Sequence, residues 1–230
     1  MSVSCFSPLA AFAAGVEVLS VFPSDRFTVS DRAQNTSRRV NLAKPDCTLN
    51  VIRCQDIDVL NTLDGFNIQP RLSIAFSGPL DVSSVHSDSV FLVSLGSTLG
   101  RGSFGDKVGI NQIVWDPQTN TLHAESDELL EQHTRYALIV TDRVRDAQGK
   151  PVQAGQFSTR NHGDGDDAVM GETLRRHAYA RIVAASLFTT QTITTTLEKI
   201  RDQIKASHPA PARFDVGSAG QRAVFALSSL

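Results

Sequence analysis

Hydrolysis at a serine needs a hydroxyl raised on a tight strand-to-helix turn, and the G-x-S-x-G pattern that builds such a turn is missing from the 230 residues. Gly96-Ser97-Thr98-Leu99-Gly100 and Gly217-Ser218-Ala219-Gly220 put serine beside glycine at the wrong spacing, and no S-x-x-K is present. With six histidines and many serines and aspartates, some Ser/His/Asp trio arises by chance, so residue types alone assign no catalytic residue. Gly100-Arg101-Gly102-Ser103-Phe104-Gly105 matches G-x-G-x-x-G. That motif holds a pyrophosphate only where it opens a helix. Here Val108–Trp115 follows, rich in β-formers, so a flexible hairpin loop is expected and no cofactor. Asp164, Asp166 and Asp167 offer oxygen ligands, but Glu172 comes too early for the closing carboxylate of a calcium loop, and the stretch reads as an exposed acidic loop. His123, His133 and His177 have no spacing that suggests a metal. Tyr136 sits on an inward-facing alternation and reads as a core anchor that hydrogen-bonds a turn.

The cysteines carry one positive expectation. Cys47 and Cys54, two of the three in the chain, flank Thr48–Arg53, a C-x6-C spacing that closes a disulfide across a hairpin; two buried free thiols are the alternative. No further Cys or His lies close enough to complete a zinc site. The closed loop is short, so the bond is worth about 3 kcal/mol or less, and it points to an oxidising compartment.

The elements that would position these groups are mostly strands. An apolar share of 41% and a charged share of 20% are ordinary for a folded soluble chain. A net charge of −2 gives no footprint for nucleic acid or an anionic membrane, and no stretch reaches the ~20 apolar residues of a membrane helix. Leu72, Ile74 and Phe76 alternate with smaller residues, Val90–Val93 is a continuous apolar run, and Ile110–Trp115 pairs with Thr121–Glu125 across an Asp116–Asn120 turn. Ser126–Leu130 reads as one helical turn capped by Ser126. Tyr136–Thr141 is a strand with two apolar faces, closed by a turn at Arg145–Gly149. Short strands at such intervals specify a sandwich. Beyond Pro151 a polar, turn-rich stretch precedes a helix near 168–180 and a strand near 182–189. A helix at 193–206 follows, with Ile193, Leu197, Ile200 and Ile204 in a core-facing stripe and Thr195/Glu198 as a capping box. Ser207–Ala212 reads as a stiff spacer.

Val114-Trp115-Asp116, Thr134-Arg135-Tyr136-Ala137-Leu138-Ile139-Val140-Thr141, Val144-Arg145-Asp146 and Gly149-Lys150-Pro151 together resemble the bacterial Ig-like domain of surface-layer and other exported proteins. Phe22-Pro23-Ser24-Asp25-Arg26-Phe27-Thr28, Asn61-Thr62-Leu63-Asp64-Gly65-Phe66 and Ala184-Ala185-Ser186-Leu187-Phe188-Thr189-Thr190-Gln191 resemble the N-terminal half of secreted bacterial lipase- or esterase-like proteins, where an Ig-like region precedes an α/β-hydrolase domain. The segment 161–181 is shorter than its counterpart in that family.

The expectation is therefore a mainly β protein: an Ig-like β-sandwich with a C-terminal helical extension, its helices at about 168–180 and 193–206. Residues 1–21 read as a leader remnant or loose tail, or else as a tail leading into a first strand. Residues 22–160 form the sandwich, 161–206 a loop and helical extension that includes the strand near 182–189, and 207–230 a linker and the start of a following domain. The resemblance implies a non-catalytic accessory module, secreted, periplasmic or on the cell surface, with a neighbouring hydrolase domain as its partner. Two rivals are an esterase whose site is unrecognised or completed by another chain, and a glycan- or surface-polymer-binding module acting through the Gly96–Gly105 loop.

Overall fold

The computed structural model describes residues 15–100, 102, 104–155 and 180–208. The expected helix at 168–180, the acidic loop with Asp164, Asp166 and Asp167, His177 and the chain beyond 208 lie outside the described residues. The chain divides into two units, Met1–Thr192 and Ile193–Leu230.

The first unit is mainly β. Among the described residues its strands are, in chain order, β1 (Glu17–Phe22), β2 (Thr28–Ser30), β3 (Arg38–Val40), β4 (Leu72–Phe76), β5 (Leu80–Asp81), β6 (Val90–Ser97), β7 (Phe104–Val108), β8 (Ile110–Asp116), β9 (Thr121–Ser126), β10 (Thr134–Thr141), β11 (Arg145–Asp146), β12 (Gln153–Ala154) and β13 (Ile182–Thr189), and a helix, α1 (Val51–Leu60), follows β3. A five-stranded sheet runs β12-β1-β4-β9-β8 and a four-stranded sheet runs β13-β10-β6-β7; β2–β3 and β5–β11 are small ribbons.

Alternation assigns the faces. Leu72, Ile74 and Phe76 point from the larger sheet into one core with Leu92, Leu138 and Val140 of the smaller, while Ser73 and Ala75 stay half-buried on the other side. In the smaller sheet the intervening residues are buried too: Phe91, Val93, Ala137, Ile139, Ala185 and Leu187 make a second apolar cluster on its outer face. That explains the unbroken apolar runs of β6 and β10. The chain changes sheets between β7 and β8 at Gly109, where the side chains of Asp127 and Ser87 occupy the space a Cβ would need. The Asp116–Asn120 turn closes with Asn120 at φ 49°, and Gly149 takes φ 77° in the turn after β11.

Of the two readings of the apolar run before residue 22, the structure takes the first strand: Glu17–Phe22 is β1, an inner strand of the five-stranded sheet, so the sandwich starts before residue 22 and not at it. Other expectations need correction. The strand at 182–189 belongs to the sandwich rather than to an extension, because β13 pairs along its whole length with β10. No helical turn follows Ser126: this residue ends β9, is buried, and its Oγ caps nothing. Thr48–Arg53 is not a hairpin but leads into α1, because helical spacing buries Cys54 and Ile57 on one side, where strand alternation would send them to opposite faces.

The second unit contributes α2 (Thr195–Ala206). Its cap is Thr194, not Thr195, and the Thr194 hydroxyl donates to the Glu198 carboxylate at 2.8 Å in place of a capping box. The stripe of Ile193, Leu197, Ile200 and Ile204 is exposed by 47–68%, not turned to a core. A 3.6-residue period reports that a helix has an apolar face and is silent on what covers it.

Candidate functional site

Sandwich geometry brings the three segments that carry the family resemblance to one place, the C-terminal end of β13. A 3-10 turn at Asp25–Phe27 follows β1, with Ser24 Oγ accepting the Arg26 N–H, and it directs the Asp25 carboxylate inward. Asp25 Oδ1 accepts the Thr189 N–H at 2.9 Å and Oδ2 the Thr189 hydroxyl at 2.8 Å. Arg38 Nε of β3 lies 3.3 Å from Oδ2. Three residues along, Asp64 repeats the arrangement: Oδ1 accepts the Thr192 N–H at 2.8 Å and Oδ2 the Thr192 hydroxyl at 2.6 Å. Each carboxylate thus chelates the backbone and side chain of one threonine.

Between the clamps the backbone is pinned as well. Phe66 N–H donates to Thr189 O (2.8 Å) and Gln191 N–H to Phe66 O (2.7 Å). This approach is so close that a Cβ on Gly65 would stand 2.7 Å from the backbone of residues 189–191, which is why glycine is required there. Thr190 Oγ1 donates to Glu131 O (2.6 Å) and accepts the Thr134 N–H (2.9 Å), and Ser186 Oγ donates to Pro23 O (2.8 Å). Beneath lies an aromatic chain: Phe22 meets Phe66 edge-on, Phe66 meets Phe188 edge-on, and Phe188 stacks on Tyr136 with centroids 5.9 Å apart. The Tyr136 hydroxyl accepts the Glu131 N–H at 3.0 Å, so this residue is the turn-bonding anchor expected of it.

Burial pushes the Asp25 carboxyl above the ordinary carboxylate range, with Arg38 and then Thr189 pulling it back down. The sign follows: a carboxyl raised by folding favours the native state most below its unfolded value, and that contribution is lost as pH rises through the folded value. Asp25→Asn removes the titration while keeping an acceptor for the Thr189 N–H. Urea melts of both proteins from pH 7 down to pH 4 should therefore show wild type gaining on D25N as pH falls. A difference that stays flat or shrinks on acidification would contradict this assignment.

Two Ser–His pairs form. Ser73 Oγ meets His123 Nδ1 at 3.0 Å across paired strands β4 and β9, and Ser97 Oγ meets His133 Nδ1 at 3.1 Å. Among the described residues neither imidazole is hydrogen-bonded to a carboxylate, although His123 interacts electrostatically with Asp116, and Ser97 Oγ already accepts the Leu99 N–H at 3.1 Å. Gly100 and Gly102 of the glycine-rich stretch lie in the β6–β7 loop at φ 74° and 120°, and the element that follows is strand β7. Cys47 and Cys54 form a disulfide, with Cα atoms 5.7 Å apart. Among the described residues no three His, Cys, Asp or Glu side chains gather as a ligand set, and no helix is long and apolar enough to cross a membrane. The clamp residues themselves are not singled out by sequence reasoning, since a buried aspartate has the same letter as an exposed one.

No family profile matches the sequence, and no curated protein matches it. Among solved structures, one match is the N-terminal part of the bacterial S-layer protein SbsC, at 12% identity and a TM-score of 0.29, covering 47% of this chain. The chain spans about a quarter (26%) of the length of that structure. A likeness at this TM-score carries no argument.

Proposed function

We propose that this chain is a non-catalytic, Ig-like accessory module of a secreted bacterial lipase- or esterase-like protein, and that its task is to hold the chain rigidly where it leaves the sandwich. The observation that carries this reading is the double clamp. Asp25 and Asp64, which lie in segments that carry the resemblance, each bind one threonine near the end of the first unit: both Asp25 oxygens accept from Thr189 and both Asp64 oxygens from Thr192. Carboxylates with both oxygens held by protein donors are suited to positioning. The attached hydrolase domain, and export, belong to the resemblance.

The purified chain should leave p-nitrophenyl acetate and p-nitrophenyl butyrate at the buffer rate. Ser73→Ala and Ser97→Ala should leave that rate unchanged. Ester turnover that disappears in one of these two variants would replace the accessory reading with an esterase.

A further inference from the structure

The segment from Leu42 to Asn61 is a lobe closed at its base. The Asn61 side chain accepts the Leu42 N–H (2.7 Å) and donates to Leu42 O (3.1 Å), and Lys44 pairs with Asp58 at 2.5 Å. Its helix, α1, begins badly. Asn50 stands at the N-cap without a side-chain cap bond, because its amide is turned back to donate to Asp46 O at 3.1 Å. The first turn holds no acidic residue to meet the helix dipole. It starts instead with β-branched Val51 and Ile52, exposed by 56% and 76% and gaining little from packing. The one strong tie on this turn is covalent, from buried Cys54 to exposed Cys47 in the preceding Asp46–Asn50 turn.

We propose that Cys47–Cys54 is a redox latch that substitutes for the missing cap of α1, so that an external dithiol reductant unwinds the helix's first turn and leaves the sandwich intact. A reductant thiolate attacks the exposed Cys47 sulfur. The S–S bond breaks as a mixed disulfide forms, and Cys54 leaves as a thiolate that takes up a proton. The second reductant thiol resolves the mixed disulfide, Cys47 becomes a thiol, and the reductant departs as its own disulfide. Two electrons and two protons have then passed to the protein. Leu49, Val51 and Ile52 are already exposed in the oxidised state, so the switch changes the order of this apolar patch and not its exposure.

The test is amide hydrogen exchange on the full chain, oxidised and after dithiothreitol, with trypsin cleavage after Arg53 followed in parallel. Reduction should speed exchange of the Cys54 amide, which donates to Asn50 O at 3.0 Å, by at least about ten-fold. Cleavage at Arg53 should accelerate likewise, the β10 amides should keep their rates, and Cys47→Ser should behave as the reduced protein does. Val51→Asp, which adds a first-turn carboxylate, should slow the Cys54 amide of the reduced chain by about two- to five-fold. Equal rates in both redox states, a loss of β10 protection on reduction, or no slowing by V51D would each overturn the latch.

Discussion

Phe188→Ala is expected to lower the stability of the first unit by about 3–5 kcal/mol, the usual cost of deleting a fully buried aromatic. The ring is 0% exposed within the main core: it stacks on Tyr136 of β10, its neighbour in the same sheet, and meets Phe66 of the α1–β4 connection edge-on. The cost therefore combines lost transfer energy, a cavity, and two ring–ring contacts of about 0.5–1.5 kcal/mol each. For a unit of this size the midpoint of thermal unfolding should fall by roughly 6–20 °C. Phe188→Leu, which refills much of the volume, should cost less than half as much. Calorimetry decides the matter, and a loss below about 1 kcal/mol for F188A would mean that the junction does not rest on this ring.

Asp64→Ala should produce a smaller but more localised loss, about 2–4 kcal/mol. It removes the carboxylate that accepts the N–H and hydroxyl of Thr192, and hydrogen bonds to a carboxylate are worth about 1.5–3 kcal/mol each, partly recovered where other acceptors or water take over. Its signature is spatial. Exchange at the Thr192 amide should accelerate far more than at β4 or β9, whose ladders do not involve Asp64. Asp64→Asn retains an acceptor for the amide and a group facing the hydroxyl, so it should keep most of the protection. Uniform acceleration across both sheets in D64A would show that the clamp supports the whole sandwich, not its exit.

Much of the sandwich was legible because strand patterns are local. Leu72, Ile74 and Phe76 declare one buried face by period two alone, and the Asp116–Asn120 turn declares its hairpin by residue type. The β-character of β10 and β13 was equally plain, but the membership of β13 was not: it pairs with a strand more than forty residues earlier, across a segment whose composition suggested a boundary. Helix α1 was misread because its apolar residues face both inward and outward, which blurs the periodicity that identifies helices. The clamp was hidden for another reason. Asp25 and Thr189 are 164 residues apart, Asp64 and Thr192 are 128 apart, and no spacing rule connects such pairs. Asp25, Asp64 and Thr189 stand within the segments that carry the resemblance and Thr192 just beyond them, where no local rule gave any of the four a role.

Those separations also set an order of events during synthesis. Strand β1 and the Asp25 turn leave the ribosome early, yet the groups that satisfy them, Ser186 and Thr189, emerge more than 160 residues later. Long-range pairings of this kind slow folding. Until β13 and the stretch to Thr192 appear, Asp25 has Arg38 but not Thr189, Asp64 lacks its Thr192 donors, and the β10 edge that faces β13 is unpaired. A nascent chain stalled before residue 182 should thus remain open to protease along β10, and one released past residue 192 should close.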